Sequence, residues 1–98
     1  MDTSEALARL RAHEADLRSL GVQRLSLFGS TARGEARQQS DVDLAVRFDP
    51  DARVGLFGLA VISNRLETII GSKTDVVCEP AAKPRVQAGI DRDRVHVF

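Results

Sequence analysis

An α/β fold, with helices covering one face of a small sheet, is predicted by three features of this chain. Leu7, Leu10, Leu17 and Leu20 recur at helical spacing near the start. "VQRLSLF" and "DVDLAVRF" then alternate polar and apolar residues with the period of two that marks strands. Leu59, Ile62, Leu66 and Ile69 return to helical spacing before the short β-branched run "KTDVVCE". Helical and strand patterns that take turns in this way pack as a sheet with helices against it.

The elements follow in order. Thr3 or Ser4 can cap the first helix, Glu5 and Glu14 with several alanines favour it, and Gly21 ends it. A strand is expected over Val22 to Phe28, broken by Gly29-Ser30. "TARGEARQQ" can begin as one helical turn before becoming loop, because Gly34 weakens any longer helix. In "DVDLAVRF", Val42, Leu44, Val46 and Phe48 share one face, while Asp41, Asp43, Ala45 and Arg47 share the other. "DPDAR" is a turn, and a second amphipathic helix runs from Leu56 to Ile70 with Gly71 as its stop. "KTDVVCE" is the third strand, Pro80 and Pro84 bracket a loop, "RVQAGIDR" makes a weak short helix, and "RVHVF" forms a terminal strand.

The bulk composition bounds the function. A chain of 98 residues with 43% hydrophobic content is expected to form one domain, residues 1–98, around one modest core. Lys plus Arg and Asp plus Glu number 14 each, which offers no electrostatic case for direct nucleic-acid binding or for an anionic membrane. The single cysteine, Cys78, cannot form an internal disulfide and agrees with a reducing cytoplasm. The N-terminus has no uninterrupted apolar stretch of the signal-peptide kind, and "LFGLAVI" is too short to span a bilayer. A cytoplasmic location is therefore expected, without a membrane partner.

The chemistry concentrates between Leu27 and Val46. Asp41 and Asp43, two apart on a strand, project from the same face, roughly 7 Å apart at the backbone. The opposite face is apolar and takes the helices, so the aspartate face stays open to ligand. Neighbouring carboxylates repel, and a cation relieves them; Mg²⁺ prefers such oxygen ligands and keeps places for water and phosphate. Asp75 in "KTDVVCE" completes a three-carboxylate cluster if its strand lies beside Asp41–Phe48. Glu79 points the same way, but at a strand end beside proline it is expected to be exposed. Gly29 lets backbone approach a ligand, Ser30 adds a hydroxyl, and N–H groups at a helix start favour anions. Arg33, one turn on, can reach a phosphate or pair with one of the carboxylates.

The blander readings are assigned elsewhere. Glu35 and Arg37 are expected to be solvated. His13 lacks a second ligand at i+4 and His96 alternates with valines, so both read as packing or surface residues. Cys78 shares its face with Val76 and reads as a small buried hydrophobe. "GLFGLA" lacks the Lys and preceding strand of a phosphate loop.

The spacing Gly29-Ser30, ten residues from Thr31 to Ser40, then Asp41-Val42-Asp43 resembles the signature of the DNA-polymerase-β-like nucleotidyltransferase superfamily. The longer string "FGSTARGEARQQSDVDLAV" is similar to the minimal nucleotidyltransferases, or MNT proteins, commonly antitoxins paired with HEPN-domain ribonuclease toxins. The resemblance implies a single-domain polymerase-β-like fold with a mixed sheet. It implies a Mg-dependent enzyme, with two ions and ATP, that moves AMP to a hydroxyl, and a HEPN toxin whose tyrosine is the acceptor. Asp41, Asp43 and Asp75 are then the catalytic and metal-holding residues, and Gly29, Ser30 and Arg33 the nucleotide-binding ones. Two alternatives stand beside this reading. One is a small-molecule transferase of the aminoglycoside type, which usually carries a second helical domain. The other is an antitoxin that acts by binding alone.

Overall fold

A computed structural model describes residues 1–35 and 41–98. Arg37 and the rest of the run 36–40, expected to be loop, lie outside the described residues. The elements are α1 (Thr3–Arg11), α2 (Glu14–Ser19), β1 (Val22–Phe28), α3 (Gly29–Ala32), β2 (Val42–Phe48), α4 (Leu56–Ile70), β3 (Thr74–Cys78), α5 (Pro84–Asp93) and β4 (Val95–His96). The four strands form one mixed sheet in the order β3-β2-β1-β4. β1 runs antiparallel to β2 and to β4, whereas β3 lies parallel to β2. The α4 segment is the crossover that a parallel β2–β3 pair requires.

The core lies between one sheet face and the main helical layer. Leu25, Leu27, Leu44 and Val46 meet Ala6, Leu10, Leu17, Ile62, Leu66 and Ile70 there, all of them buried. Alternation along β2 sends Val42, Leu44 and Val46 into this core, as the sequence predicts. On α4 the fully buried stripe is Ile62, Leu66 and Ile70, with Ile69 half-buried beside it, and Gly71 closes the helix in the left-handed region at φ 80°. The opposite sheet face carries α5 over part of its area. Ser26 is buried between the two core leucines of β1, and its hydroxyl receives a hydrogen bond from Arg94 Nη1 at 3.0 Å.

The N-terminal segment departs from its sequence pattern in two places. The cap is Asp2, whose carboxylate accepts from Glu5 N–H at 2.7 Å, instead of Thr3 or Ser4. Thr3 is engaged elsewhere, its hydroxyl donating to the Thr31 carbonyl of α3. The single helix expected up to Gly21 is two, because His13 interrupts the ladder. Its main-chain N–H bonds the Leu10 carbonyl, and its ring Nδ1–H takes the Arg9 carbonyl at 3.0 Å that this N–H would otherwise have used. Where the sequence predicts a weak short helix, α5 runs for 10 residues, opens on Pro84 and buries Ile90. The terminal strand is shorter than "RVHVF", with two residues in β4.

Candidate active site

β1 ends where the chain must turn sharply over β2. Gly29 does this at φ 70°, in the left-handed region that side chains other than glycine's resist. Space is the stronger constraint. A Cβ on Gly29 would stand 2.2 Å from Asp43 Oδ2 and 3.1 Å from its Cγ, so the Asp43 carboxylate fills the room that glycine leaves. The first half of the motif is thus shaped around the second. Beyond Gly29 the single turn α3 follows, with Ser30 half-buried at its start and Arg33 N–H closing on the Gly29 carbonyl at 3.1 Å. Its opening N–H groups have no partner within the turn.

Register supplies the third acid. In the parallel β2–β3 pair Asp43 stands directly opposite Asp75, and Asp41 lies two residues upstream of Asp43. Asp43 is half-buried, while Asp41 and Asp75 are exposed. Desolvation, then the nearby charges of Asp75 and Asp41, push the Asp43 carboxyl above its ordinary range, and Arg33 partly opposes them. Three acids therefore share one neighbourhood, at the end of the open sheet face beside the Gly-Ser turn.

These groups are hard oxygen donors, and at Asp43 burial and the neighbouring acids together disfavour the anion. Among the described residues no three His, Cys, Asp or Glu side chains converge into a ready-made metal cage. Mg²⁺ is usually held by one or two carboxylates together with substrate phosphates, so the donor set fits this ion without a closed cage.

Arg33 is expected to reach a phosphate or to pair with one of the site's carboxylates. The structure places it in ion pairs: Nη1 with Asp93 Oδ2 at 2.7 Å and Nε with Glu35 Oε2 at 3.0 Å. Asp93 carries no sequence signal, because it lies 60 residues from Arg33 and only folding brings them together. Glu35 is exposed, as expected.

Glu79 is a correction. Its side chain, expected in solvent, is only 2% exposed. Arg94 grips it through both guanidinium nitrogens, with Nη1–Oε1 at 2.8 Å, and Gln87 Nε2 donates at 2.9 Å. Burial is tolerated because every added hydrogen bond favours the charged form, and Arg94 holds the carboxyl below its usual range. Cys78 is half-buried, with burial raising its thiol pKa, which agrees with an inert packing residue. His96 is exposed. Among the described residues no helix is long and apolar enough to cross a membrane.

Comparison with known proteins identifies the family of this fold. A family model described as a nucleotidyltransferase domain matches residues 10–95. The protein adenylyltransferase MntA of Thermococcus cleftensis is 34% identical over 89 residues, covering 90% of this chain and 88% of its own. A solved chain provisionally assigned as a minimal nucleotidyltransferase superposes with a TM-score of 0.80 at 35% identity, covering 97% of this chain and 95% of that one. A second solved structure, the tri-AMPylated HEPN toxin of Shewanella oneidensis in complex with its MNT antitoxin, shares the fold. Its TM-score is 0.64 at 18% identity, over 90% of this chain and 68% of that one. The chain belongs to the nucleotidyltransferase domain family, among the minimal nucleotidyltransferases.

Proposed function

We propose that this enzyme transfers AMP from ATP to a hydroxyl, a tyrosine, of a cognate HEPN ribonuclease toxin and so acts as its antitoxin. The observation that carries the reading is the seat of Asp43. Its carboxylate is pressed into the space left by Gly29, faces Asp75 across the parallel register and is destabilised as an anion. A fold gains nothing from a carboxylate buried and crowded in that way, whereas a site for cations and phosphates uses it. The relative named a protein adenylyltransferase and the complex that holds an AMPylated toxin support the acceptor class.

In this reading Gly29 and Ser30 receive the leaving phosphates through the opening N–H groups of α3 and the Ser30 hydroxyl. Asp41 and Asp43 would hold two Mg²⁺ ions, with Asp75 completing the second site. When bound, the ions neutralise the triphosphate and make the acceptor hydroxyl more acidic. Asp75 orients that hydroxyl and takes its proton. The acceptor oxygen bonds to the α-phosphorus, the bond from that phosphorus to the bridging oxygen breaks, and pyrophosphate leaves. AMP on the toxin adds phosphate charge and bulk near the residues that cut RNA, which silences it.

The test is the intact mass of the purified toxin after incubation with this protein, ATP and Mg²⁺. A gain of one or more AMP units is expected, absent with Asp41→Asn/Asp43→Asn. Neutralisation of the toxin without any mass gain would instead make the protein a binding antitoxin. Transfer to an aminoglycoside and not to the toxin would move it to the small-molecule class.

A further inference from the structure

The end of the Gly-Ser turn is tied to the far end of the chain by one carboxylate. Asp93, the last residue of α5, has a side chain only 7% exposed and receives Arg33 Nη1 at Oδ2. Arg92 also converges on it, Nε at 3.1 Å from Oδ1 and Nη2 at 3.2 Å from Oδ2. The other members of the cluster are loose. Glu35 is 64% exposed, Arg92 72% and Arg33 40%. Asp93 is therefore the fixed point about which two guanidinium groups gather, and among the described residues Arg33 keeps Nη2 without a hydrogen bond.

We propose that Asp93 is a positioning residue of the phosphate site, holding Arg33 and Arg92 beside the Gly29–Ala32 turn to meet the outer phosphates of a nucleoside triphosphate. The inference rests on the nucleotidyl-transfer reading. A guanidinium is suited to the task because its planar fork can serve a carboxylate on one edge and a phosphate on the other. Asp93 also restrains Arg33. The charge of Arg33 already reaches Asp43. Pairing with Asp93 partly offsets that charge beside the carboxylate that is to hold the cation. Asp93 keeps the two jobs apart, Arg33 for phosphate and Asp43 for metal.

The experiment compares wild type, Asp93→Asn, Asp93→Glu and Arg33→Lys in the full chain. It reads inorganic tripolyphosphate binding by calorimetry, and kcat and KM for ATP in AMP transfer to the toxin. Asp93→Asn is expected to weaken tripolyphosphate binding and raise KM about tenfold, with kcat changed less than about twofold. Asp93→Glu, which restores the charge, should recover most of the loss. Arg33→Lys should match Asp93→Asn, and the double variant should be no worse than either single one, because both break the same link. If Asp93→Asn does not fold, Arg33→Lys with its tripolyphosphate isotherm carries the test.

Wild-type tripolyphosphate binding in a folded Asp93→Asn variant overturns the inference, as does a folded Asp93→Glu without recovery. The two readings separate cleanly. AMP transfer by wild type with unchanged KM in Asp93→Asn removes the positioning role alone. Asp93-dependent tripolyphosphate binding without AMP transfer to any hydroxyl removes the reaction and leaves the phosphate site.

Discussion

The open face of the sheet carries acids at two places that fold by the same rules and end in opposite electrostatic states. Near the Gly-Ser turn, Asp43 faces Asp75 with Asp41 close by, and burial, then repulsion, hold its carboxyl above the ordinary range. Just past the other end of β3 the Glu79 side chain is also buried, yet Arg94 and Gln87 hold its carboxyl below that range. Only a handful of residues along the chain separates Asp75 from Glu79. Burial raises both acids, and the partners decide whether that rise stands, as at Asp43, or is overturned, as at Glu79. A carboxylate satisfied by its own chain serves stability. One left unsatisfied is the place where a ligand from outside completes the set.

Removing Asp43 tests this contrast most severely. Asp43→Asn should reduce AMP transfer at least roughly a hundredfold, since an amide cannot replace an anionic ligand. The variant should melt no lower than wild type, because a repulsive charge has gone. Melting by circular dichroism beside a transfer assay reads both, and a large loss of stability would mean that Asp43 serves the fold.

Gly29→Ala comes next. Its Cβ would collide with the Asp43 carboxylate and its φ of 70° is costly for alanine, so transfer should fall roughly tenfold or more and stability by about 1 kcal/mol. Activity retained with unchanged KM for ATP would show that the carboxylate does not need this seat.

Glu79→Gln should invert the pattern of Asp43→Asn. Breaking one side of the Glu79–Arg94 pair leaves Arg94 over a neutral amide and should cost roughly 2–3 kcal/mol, read from urea unfolding, while transfer by the folded fraction stays within about twofold.

The smallest effect is on pH. A carboxyl raised by folding, as at Asp43, gives stability that is largest when protonated and falls as pH rises through the ordinary carboxylate range towards the raised folded value. A lowered one, as at Glu79, contributes above the ordinary value and is lost as pH falls through the lowered folded value. Melting curves on acidification should therefore show Asp43→Asn missing the gain at mild acidity and Glu79→Gln missing part of the loss at stronger acidity.

The two ends also differ in how far they could be read before folding. Asp41, Asp43, Gly29 and Ser30 announce themselves because they lie within one loop and one strand, where spacing alone puts them together. Period-two alternation in "DVDLAVRF" sets which side of the strand Asp43 occupies. The α4 boundaries, Leu56 to Ile70, follow in the same way from a long apolar stripe with a terminal glycine. Glu79 and Asp93 have no local signature. Glu79 owes its state to Arg94, and Asp93 meets Arg33 across 60 residues. The break at His13 was equally hidden, since it turns on one ring nitrogen competing with a main-chain N–H for the Arg9 carbonyl.

By itself, then, the order of residues determined the alternation of helices and strands, the face on which Asp43 lies, and the family, because each depends on periods and spacings of a few residues. Tertiary structure alone decided that Asp75 stands opposite Asp43, that Gly29 makes room for a carboxylate, and that Glu79 is neutralised while Asp43 is not. The reason is physical. Strand register and charge compensation are properties of contacts between distant segments, and no local period encodes which distant charge will arrive.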